Sequence, residues 1–188
     1  MTTDIHPLTI DRWNDLEQLF GPRGACGGCW CMYWKLPRKD FTAGQGDLNR
    51  LAQKDIVTSG QIPGLIAYMD GIPTGWVAVE PRDNYPVLSH SRILKRIDEL
   101  PVWSVTCFFV TRKYRNKGLT VVLLKAAIKY VAKLGGKVIE GYPVDPPFDG
   151  KMPPVFVYTG LMSAFKQAGF SEVERRSEKR PIMRYAIK

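Results

Sequence analysis

The sequence has no apolar run that approaches the roughly 20 residues needed to span a bilayer. Its first residues, MTTDIHPLTIDRW, contain neither the basic segment nor the apolar segment of a secretory signal. It has only four cysteines and two histidines, with no second Cys-x-x-Cys and no paired histidines to complete a zinc site. We therefore expect a cytoplasmic protein with free thiols, no membrane partner and no bound metal.

Acidic residues are also scarce, since 18 Asp and Glu stand against 27 Lys and Arg, which gives a formal net charge of +9. This excess suits nucleic acid, an acidic membrane surface or an anionic ligand. No nucleic-acid-binding motif accompanies the basic residues, which are dispersed apart from residues 112–117 and a tail cluster. We expect an anionic ligand and no nucleic-acid partner. The tail cluster is interpreted as solvated surface: Arg175, Arg176, Lys179 and Arg180.

Internal repeats and low-complexity tracts are absent as well. The chain has 188 residues, of which 45% are apolar and 24% charged, as in an ordinary globular protein. This length is enough for a hydrophobic core without disulfides. We therefore predict a single domain over residues 1–188.

A strongly basic turn lies within residues 101–134. An apolar run from Trp103 to Val110 leads into four basic side chains and then Gly118: Arg112, Lys113, Arg115 and Lys117. A helical pattern follows, with Lys125, Lys129 and Lys133 in a row. The first N–H groups of a helix have no partner within it, so together with basic neighbours they attract phosphates. The alternative is a basic surface turn that binds nothing.

Residues 115–120, RNKGLT, resemble the Arg/Gln-x-x-Gly-x-Gly/Ala pyrophosphate loop of the GNAT acyl-CoA N-acetyltransferases. Val110 closes the preceding strand as in that family, whereas Thr120 departs from the usual last Gly or Ala. The resemblance implies acetyl-CoA as cosubstrate. Its pyrophosphate would be held by Arg115, Asn116, Lys117, Gly118, Leu119 and Thr120, and its pantetheine and acetyl carbonyl by the backbone of Phe108, Phe109 and Val110.

The order of predicted elements is also similar to GNAT proteins over nearly the whole chain. Helices are predicted over residues 8–20, 47–59 and 158–168, with a short one in 91–100, and residues 146–157 as a loop. Strands are predicted over residues 64–70, 72–80, 103–110, 137–142 and within 171–187, the first two joined by a tight Asp70-Gly71 turn. This order implies an α/β fold with a mixed, mostly antiparallel central sheet, a splayed strand pair and flanking helices.

The last predicted helix departs from the family pattern. Counting back from Gly169-Phe170 places Phe165 where the family often has the tyrosine that protonates the departing thiolate. Phenylalanine cannot donate a proton, so the acid would be Tyr158, Ser163 or Tyr142, or solvent. Because a thiolate is a fair leaving group near its own pKa of ~8.5, a dedicated acid is not essential.

A general base would help, because a primary amine is mostly protonated at neutral pH. Glu80, Glu140 and Asp145 stand at the carboxyl ends of predicted strands. We rank Glu140 and Glu80 together and expect Glu140 at the mouth of the cleft. A structural or surface role remains the alternative for each carboxylate.

The segment CGGCWCMYW, residues 26–34, is unusual in its glycines, thiols and aromatic rings. The favoured interpretation is an acceptor pocket, for which the expected wall residues are Cys29, Trp30, Cys31, Tyr33, Trp34, Cys107 and Tyr142. A zinc half-site is a second interpretation. The third is a reactive thiolate that takes the acyl group, or a redox disulfide.

These features predict an N-acetyltransferase that transfers acetyl from acetyl-CoA to a primary amine by direct attack. The proposed walls favour a small-molecule acceptor with an apolar or aromatic part. A non-catalytic acyl-CoA-binding sensor is the alternative, and a nucleic-acid-binding module is a weaker one. Apolar strand surface that stays partly exposed would suit a homodimer.

Overall fold

The computed structural model of the protein describes residues 3–146 and 152–188. Seven strands form one sheet in the order β1-β2-β3-β4-β5-β7-β6. They are β1 (Thr3–Pro7), β2 (Gly64–Met69), β3 (Ile72–Pro81), β4 (Trp103–Val110), β5 (Val138–Gly141), β6 (Ser171–Arg175) and β7 (Pro181–Ala186). Neighbours pair antiparallel except β4 and β5, which run parallel. The predicted α/β fold with a mixed, mostly antiparallel sheet is confirmed.

The described helices cover both faces of this sheet. They are α1 (Trp13–Phe20), α2 (Arg38–Ala43), α3 (Asp47–Thr58), α4 (Pro86–Ser89), α5 (Leu119–Lys133) and α6 (Met162–Gln167). On one face, α5 buries Leu123, Leu124 and Val131 against β2 to β5 and α6. On the other face, Trp13, Leu16 and Phe20 of α1 pack with Trp76 of β3. In the described parts of the chain, every helix is too short or too polar to span a bilayer.

Strand β4 diverges from β5 partway along its length. The two strands pair only from Trp103 to Val105, although β4 stays paired with β3 as far as Val110. Residues 158–161 lie across the resulting gap. Leu161 forms a parallel bridge with Val144 beyond the end of β5, and the carbonyl of Tyr158 accepts the N–H of Phe108 at 2.6 Å. The far half of β4 therefore borders a cleft.

Several local predictions are wrong. Residues 3–7 form a strand, and α1 begins only at Trp13, after a 3₁₀ turn over Ile10–Arg12. Residues 91–100 form turns, while the short helix α4 precedes them. Helix α6 begins at Met162 instead of residue 158, because residues 158–161 bridge the cleft. Of the predicted loop over residues 146–157, part lies outside the described residues, and Pro154–Phe156 form a 3₁₀ turn.

Candidate active site

A cavity of about 1070 Å³ opens along the free part of β4. Its lining at the start of α5 comprises Val110, Tyr114, Arg115, Asn116, Gly118, Leu119, Thr120 and Val121. At its other end lies a group that we call the aromatic–thiol chamber: Cys29, Cys31, Tyr33, Trp34, Phe41, Cys107 and Tyr158. Phe108 and Phe109 line the cavity as well. The cavity thus joins the predicted loop to most of the predicted pocket.

The α5 end has the backbone geometry that suits an anion. Gly118 lies just before α5 in the left-handed region, with φ 77°. A Cβ added there would meet nothing within 4 Å, so the space above the backbone is open. Arg115 donates its Nε–H to the carbonyl of Val110 at 2.9 Å, which fixes the start of the loop to the end of β4. Of the residues predicted to hold the pyrophosphate, Lys117 alone does not line the cavity.

The aromatic–thiol chamber is held together by ring contacts around Tyr33. Its ring centroid lies 4.9 Å from Trp34, 5.3 Å from Phe41 and 6.1 Å from Tyr158. Arg38 covers Tyr33 with its guanidinium 5.2 Å from the ring centroid. These contacts give the chamber an apolar wall with few polar groups.

The backbone angles of residues 24–31 explain why this segment is rich in glycine. Ala25, Gly27 and Gly28 adopt positive φ, as do Trp30 and Cys31. A Cβ on Gly28 would lie 2.3 Å from the backbone nitrogen of Gly46, so only glycine fits there. The segment turns the side chains of Cys29 and Cys31 into the chamber, while Trp30 turns away.

Trp30 and Tyr142, both predicted as pocket walls, do not line the cavity. Trp30 is buried in the core, 6.0 Å from Trp13 and 5.5 Å from Phe20 between ring centroids. Tyr142 is fully buried and donates its hydroxyl to Glu140 Oε1 at 2.6 Å. Each belongs to a buried cluster that also contains cavity residues, Trp30 with Cys31 and Phe41 and Tyr142 with Trp34.

The four thiols are free. Cys31 Sγ lies 3.5 Å from Cys107 Sγ and 3.1 Å from the indole nitrogen of Trp76. The hydrogen bond to Cys107 and burial hold the pKa of Cys31 well above its usual value. Burial raises the pKa of Cys29 to about 11. Among the described residues, no group of three or more His, Cys, Asp or Glu side chains is arranged to hold a metal ion.

The two favoured carboxylates are buried outside the cavity. Glu140, expected at the mouth of the cleft, is only 1% exposed. Its carboxylate accepts hydrogen bonds from Arg82 Nη1 at 3.0 Å and from Arg184 Nε at 2.7 Å. Glu80 is 2% exposed and is paired with Lys35. No described residue that lines the cavity carries a carboxylate.

Tyr158, the favoured acid, does lie in the chamber. Burial, followed by the neighbouring Tyr33, raises the pKa of its phenol well above the usual value. The next residue, Thr159, is fully buried, and its hydroxyl oxygen accepts a hydrogen bond from Arg180 Nη1 at 2.9 Å. Tyr158 therefore directly precedes a residue anchored in the protein interior, and its phenol remains protonated at neutral pH.

Several residues that line the cavity were not predicted from the sequence, among them an aromatic residue of α2 and apolar residues near the start of α6. Phe41 belongs to the short helix α2, a part of the chain over which no helix or strand was predicted. Val155, Val157 and Leu161 come from the proline-rich segment, whose apolar VFVY run was the available signal. These residues reach the cavity because residues 155–161 run along its edge.

Comparison with known proteins agrees with this geometry. The model of the acetyltransferase (GNAT) family matches residues 30–147, more than half of the chain. The protein therefore belongs to the GNAT acetyltransferase family and is an acyltransferase. No curated protein matches the chain.

Similar solved structures share its fold at low sequence identity. The PaiA N-acetyltransferase from Thermoplasma acidophilum, in complex with coenzyme A, is 17% identical over 99% of each chain, with a TM-score of 0.56. The yncA protein from Salmonella typhimurium, with its cofactor acetyl-CoA, is 12% identical over 100% of this chain and 95% of its own, with a TM-score of 0.56. The ribosomal-protein-S18-alanine N-acetyltransferase from Escherichia coli is 13% identical with the same coverage and a TM-score of 0.51.

Proposed function

We propose that this acyltransferase transfers the acetyl group of acetyl-CoA directly to a primary amine of a small molecule with an apolar or aromatic part. The observation that carries the proposal is the continuity of the cavity. It joins a helix N-terminus suited to phosphates with a chamber walled by aromatic rings. CoA-bound and acetyl-CoA-bound relatives with the same fold support the choice of cosubstrate.

The cosubstrate would lie with its pyrophosphate at Gly118 to Thr120. There the free N–H groups at the start of α5 and its dipole favour anions. Arg115 adds a positive charge beside them. The pantetheine would follow the edge of Phe108 to Val110 that does not pair with β5, in the manner of an added strand. This path directs the thioester toward the aromatic–thiol chamber.

The N–H of Phe108 would polarise the acetyl carbonyl. In the structure this N–H donates to the carbonyl of Tyr158. The carbonyl oxygen of the thioester would take the place of the Tyr158 carbonyl oxygen as the acceptor of this N–H. The donor would then face the oxygen on which negative charge develops as the amine attacks. The segment of Tyr158 must shift slightly for this exchange.

Tyr158 would donate a proton to the departing thiolate, since its phenol is protonated at neutral pH and lies in the chamber toward which the thioester is directed. We expect the Tyr158→Phe variant to lose about 100-fold in kcat, at the low end of general acid catalysis, with unchanged affinity for acetyl-CoA. Stopped-flow thiol release and calorimetry would measure the two quantities. Unchanged kcat would show that solvent protonates the thiolate instead.

We do not propose Glu80 or Glu140 as the general base, because each is buried in an ion pair outside the cavity. The amine would react as its unprotonated fraction. The rate at low acceptor concentration should therefore rise with pH up to the pKa of the acceptor itself. Aromatic amines, which are largely unprotonated at neutral pH, suit both this chemistry and the chamber walls.

A thiol-release assay over a panel of amines tests the proposal. The panel pairs each aromatic amine with an aliphatic amine of similar size at one near-neutral pH, and kcat/KM is calculated for the unprotonated fraction of each amine. We expect higher kcat/KM for the aromatic member of each pair. Equal values across the pairs would refute the aromatic preference, and turnover restricted to peptide amines would refute a small-molecule acceptor.

Phe165 favours a second candidate, a sensor that binds acyl-CoA without turnover. Phe165 is fully buried and packs 5.0 Å from Phe170 between ring centroids, so it offers no acid at the position where the family often has tyrosine. Saturable CoA binding with no thiol release for any amine would establish the sensor. Steady thiol release with one amine would exclude it.

The remaining proposals concern the setting of the enzyme. We propose one domain, a cytoplasmic location consistent with four free thiols, and no nucleic-acid partner. Exposed apolar side chains such as Ile72 and Val173 on the sheet would suit a homodimer. Light scattering coupled to gel filtration would determine the assembly.

A further inference from the structure

The thiols of Cys31 and Cys107 meet inside the aromatic–thiol chamber although 76 positions separate them in sequence. Their sulfur atoms are 3.5 Å apart, about 1.5 Å more than the ~2.05 Å of a disulfide bond. Both side chains line the cavity. The two sulfurs are therefore close to bonding distance, and a small reagent in the cavity would meet the half-buried Cys107 before the buried Cys31.

Local irregularities of the backbone aim each sulfur at the other. Cys31 ends a run of positive φ values with φ 57°. Cys107 follows an irregularity in the pairing of β3 with β4, where Ala78 pairs with Cys107 and Val79 with Val105. Thr106 is thus an extra residue in β4, and such bulges redirect the side chains next to them. The indole N–H of Trp76 also donates to Cys31 Sγ, which fixes its orientation.

We propose that Cys31 and Cys107 form a thiol–disulfide site, at which a low-molecular-weight disulfide converts the pair into a reversible disulfide across the chamber. The half-buried thiol of Cys107 reacts first. Its thiolate attacks one sulfur of the reagent, which forms a mixed disulfide and releases one thiol. The thiolate of Cys31 then attacks Cys107 Sγ and releases the second thiol. Two protein thiols are oxidised and one small disulfide is reduced to two thiols, with the protein protons passing through solvent to the released thiolates.

The disulfide would draw together two walls of the chamber. Cys31 belongs to the segment that carries Tyr33 and Trp34, whereas Cys107 belongs to β4 beside Phe108. Closing the distance by about 1.5 Å displaces the segment relative to the strand. The α5 end of the cavity shares no residue with the pair. The effect on turnover rests on the proposed function, whereas formation of the disulfide does not.

The first test uses the reduced full-length protein and 2-hydroxyethyl disulfide, followed by intact-mass and peptide mass spectrometry. We expect the loss of two hydrogen atoms and a peptide that links Cys31 to Cys107. The Cys31→Ser variant should accumulate the mixed disulfide on Cys107, and Cys107→Ser should form no link. The Cys26→Ser variant is the matched control, because Cys26 is exposed and should not be needed.

A link that uses Cys26 or Cys29 in place of this pair would overturn the proposal. It would also be overturned if Cys31 and Cys107 stay reduced while Cys26 is fully modified. For the oxidised protein we expect acceptor turnover to fall about 10-fold or more, with unchanged CoA affinity and full recovery after reduction. Unchanged turnover would refute the effect on the chamber. If reduced protein neither binds CoA nor turns over, the proposed function fails, whereas the linked peptide still decides the thiol site.

Discussion

The two glycines that flank α5 allow a controlled test of the proposed phosphate site. Gly118 precedes the helix with φ 77°, and Gly135 follows it with φ 78°. A Cβ on either residue would meet nothing within 4 Å, so neither substitution by alanine creates a clash. Only Gly118 lines the cavity. Gly118→Ala and Gly135→Ala therefore impose the same backbone strain at opposite ends of one helix.

The strain should cost each variant about 1 kcal/mol, because an L-residue in the left-handed region is disfavoured by that amount. For a chain of this size, this cost lowers Tm by about 2–4 °C. The methyl group of Gly118→Ala would also stand between the backbone N–H groups and a phosphate. Losing one charge-assisted hydrogen bond costs about 1.5–3 kcal/mol, which is roughly a 10- to 100-fold increase in Kd.

Calorimetric titration with acetyl-CoA and thermal unfolding of both variants make the comparison. We expect similar Tm values for the two variants and weaker binding for Gly118→Ala alone. Equal affinity of both variants and the wild type would refute the assignment of the pyrophosphate to this loop. Equal weakening in both would show that helix stability controls binding, and not contact with the phosphate.

Three further predictions concern the supports of the site. Arg82→Met should lower the free energy of unfolding in urea by about 3–5 kcal/mol, because it removes a buried partner of Glu140; a loss below about 1 kcal/mol would contradict this reasoning. Gly28→Ala should destabilise the protein more than Gly27→Ala in the same assay, since both residues have positive φ but only the first Cβ meets backbone within 3 Å. Burial raises the pKa of Cys29 from 9.0 to about 11 and thus favours its neutral thiol in the folded state, so this stabilisation is present below pH 9 and is lost as the pH rises toward 11. Between pH 9 and 11, the free energy of unfolding in urea should therefore fall less steeply for Cys29→Ala than for the wild type. Identical pH slopes for the two proteins would refute the raised pKa of Cys29.

Local chemistry allowed the central features to be predicted from the sequence. The Asp70-Gly71 pair does form the hairpin turn, since both residues adopt positive φ. The RNKGLT motif lies between a strand and a helix, as expected from its glycine and its apolar flanks. Family and fold class followed from these short-range signals.

Long-range pairing could not be predicted in the same way. Glu140 looked like an active-site base because no local pattern shows that Arg82 and Arg184, 58 and 44 positions away, neutralise it. Residues 3–7 form a short polar strand that pairs with β2, more than 50 positions later, and with no other described strand. The chamber likewise depends on a segment between α1 and α2 meeting the end of β4.

The position of β7 has a consequence for how the protein is made. Strand β7 is the last of the seven in sequence, yet it lies between β5 and β6. During synthesis, β1 to β4 emerge from the ribosome first and can pair as successive neighbours. Strand β5 then keeps one open edge, and Glu140 lacks Arg184, until residues 181–186 have been translated. Completion of the sheet and of the buried Arg82–Glu140–Arg184 network therefore waits for the same six residues at the end of the fold.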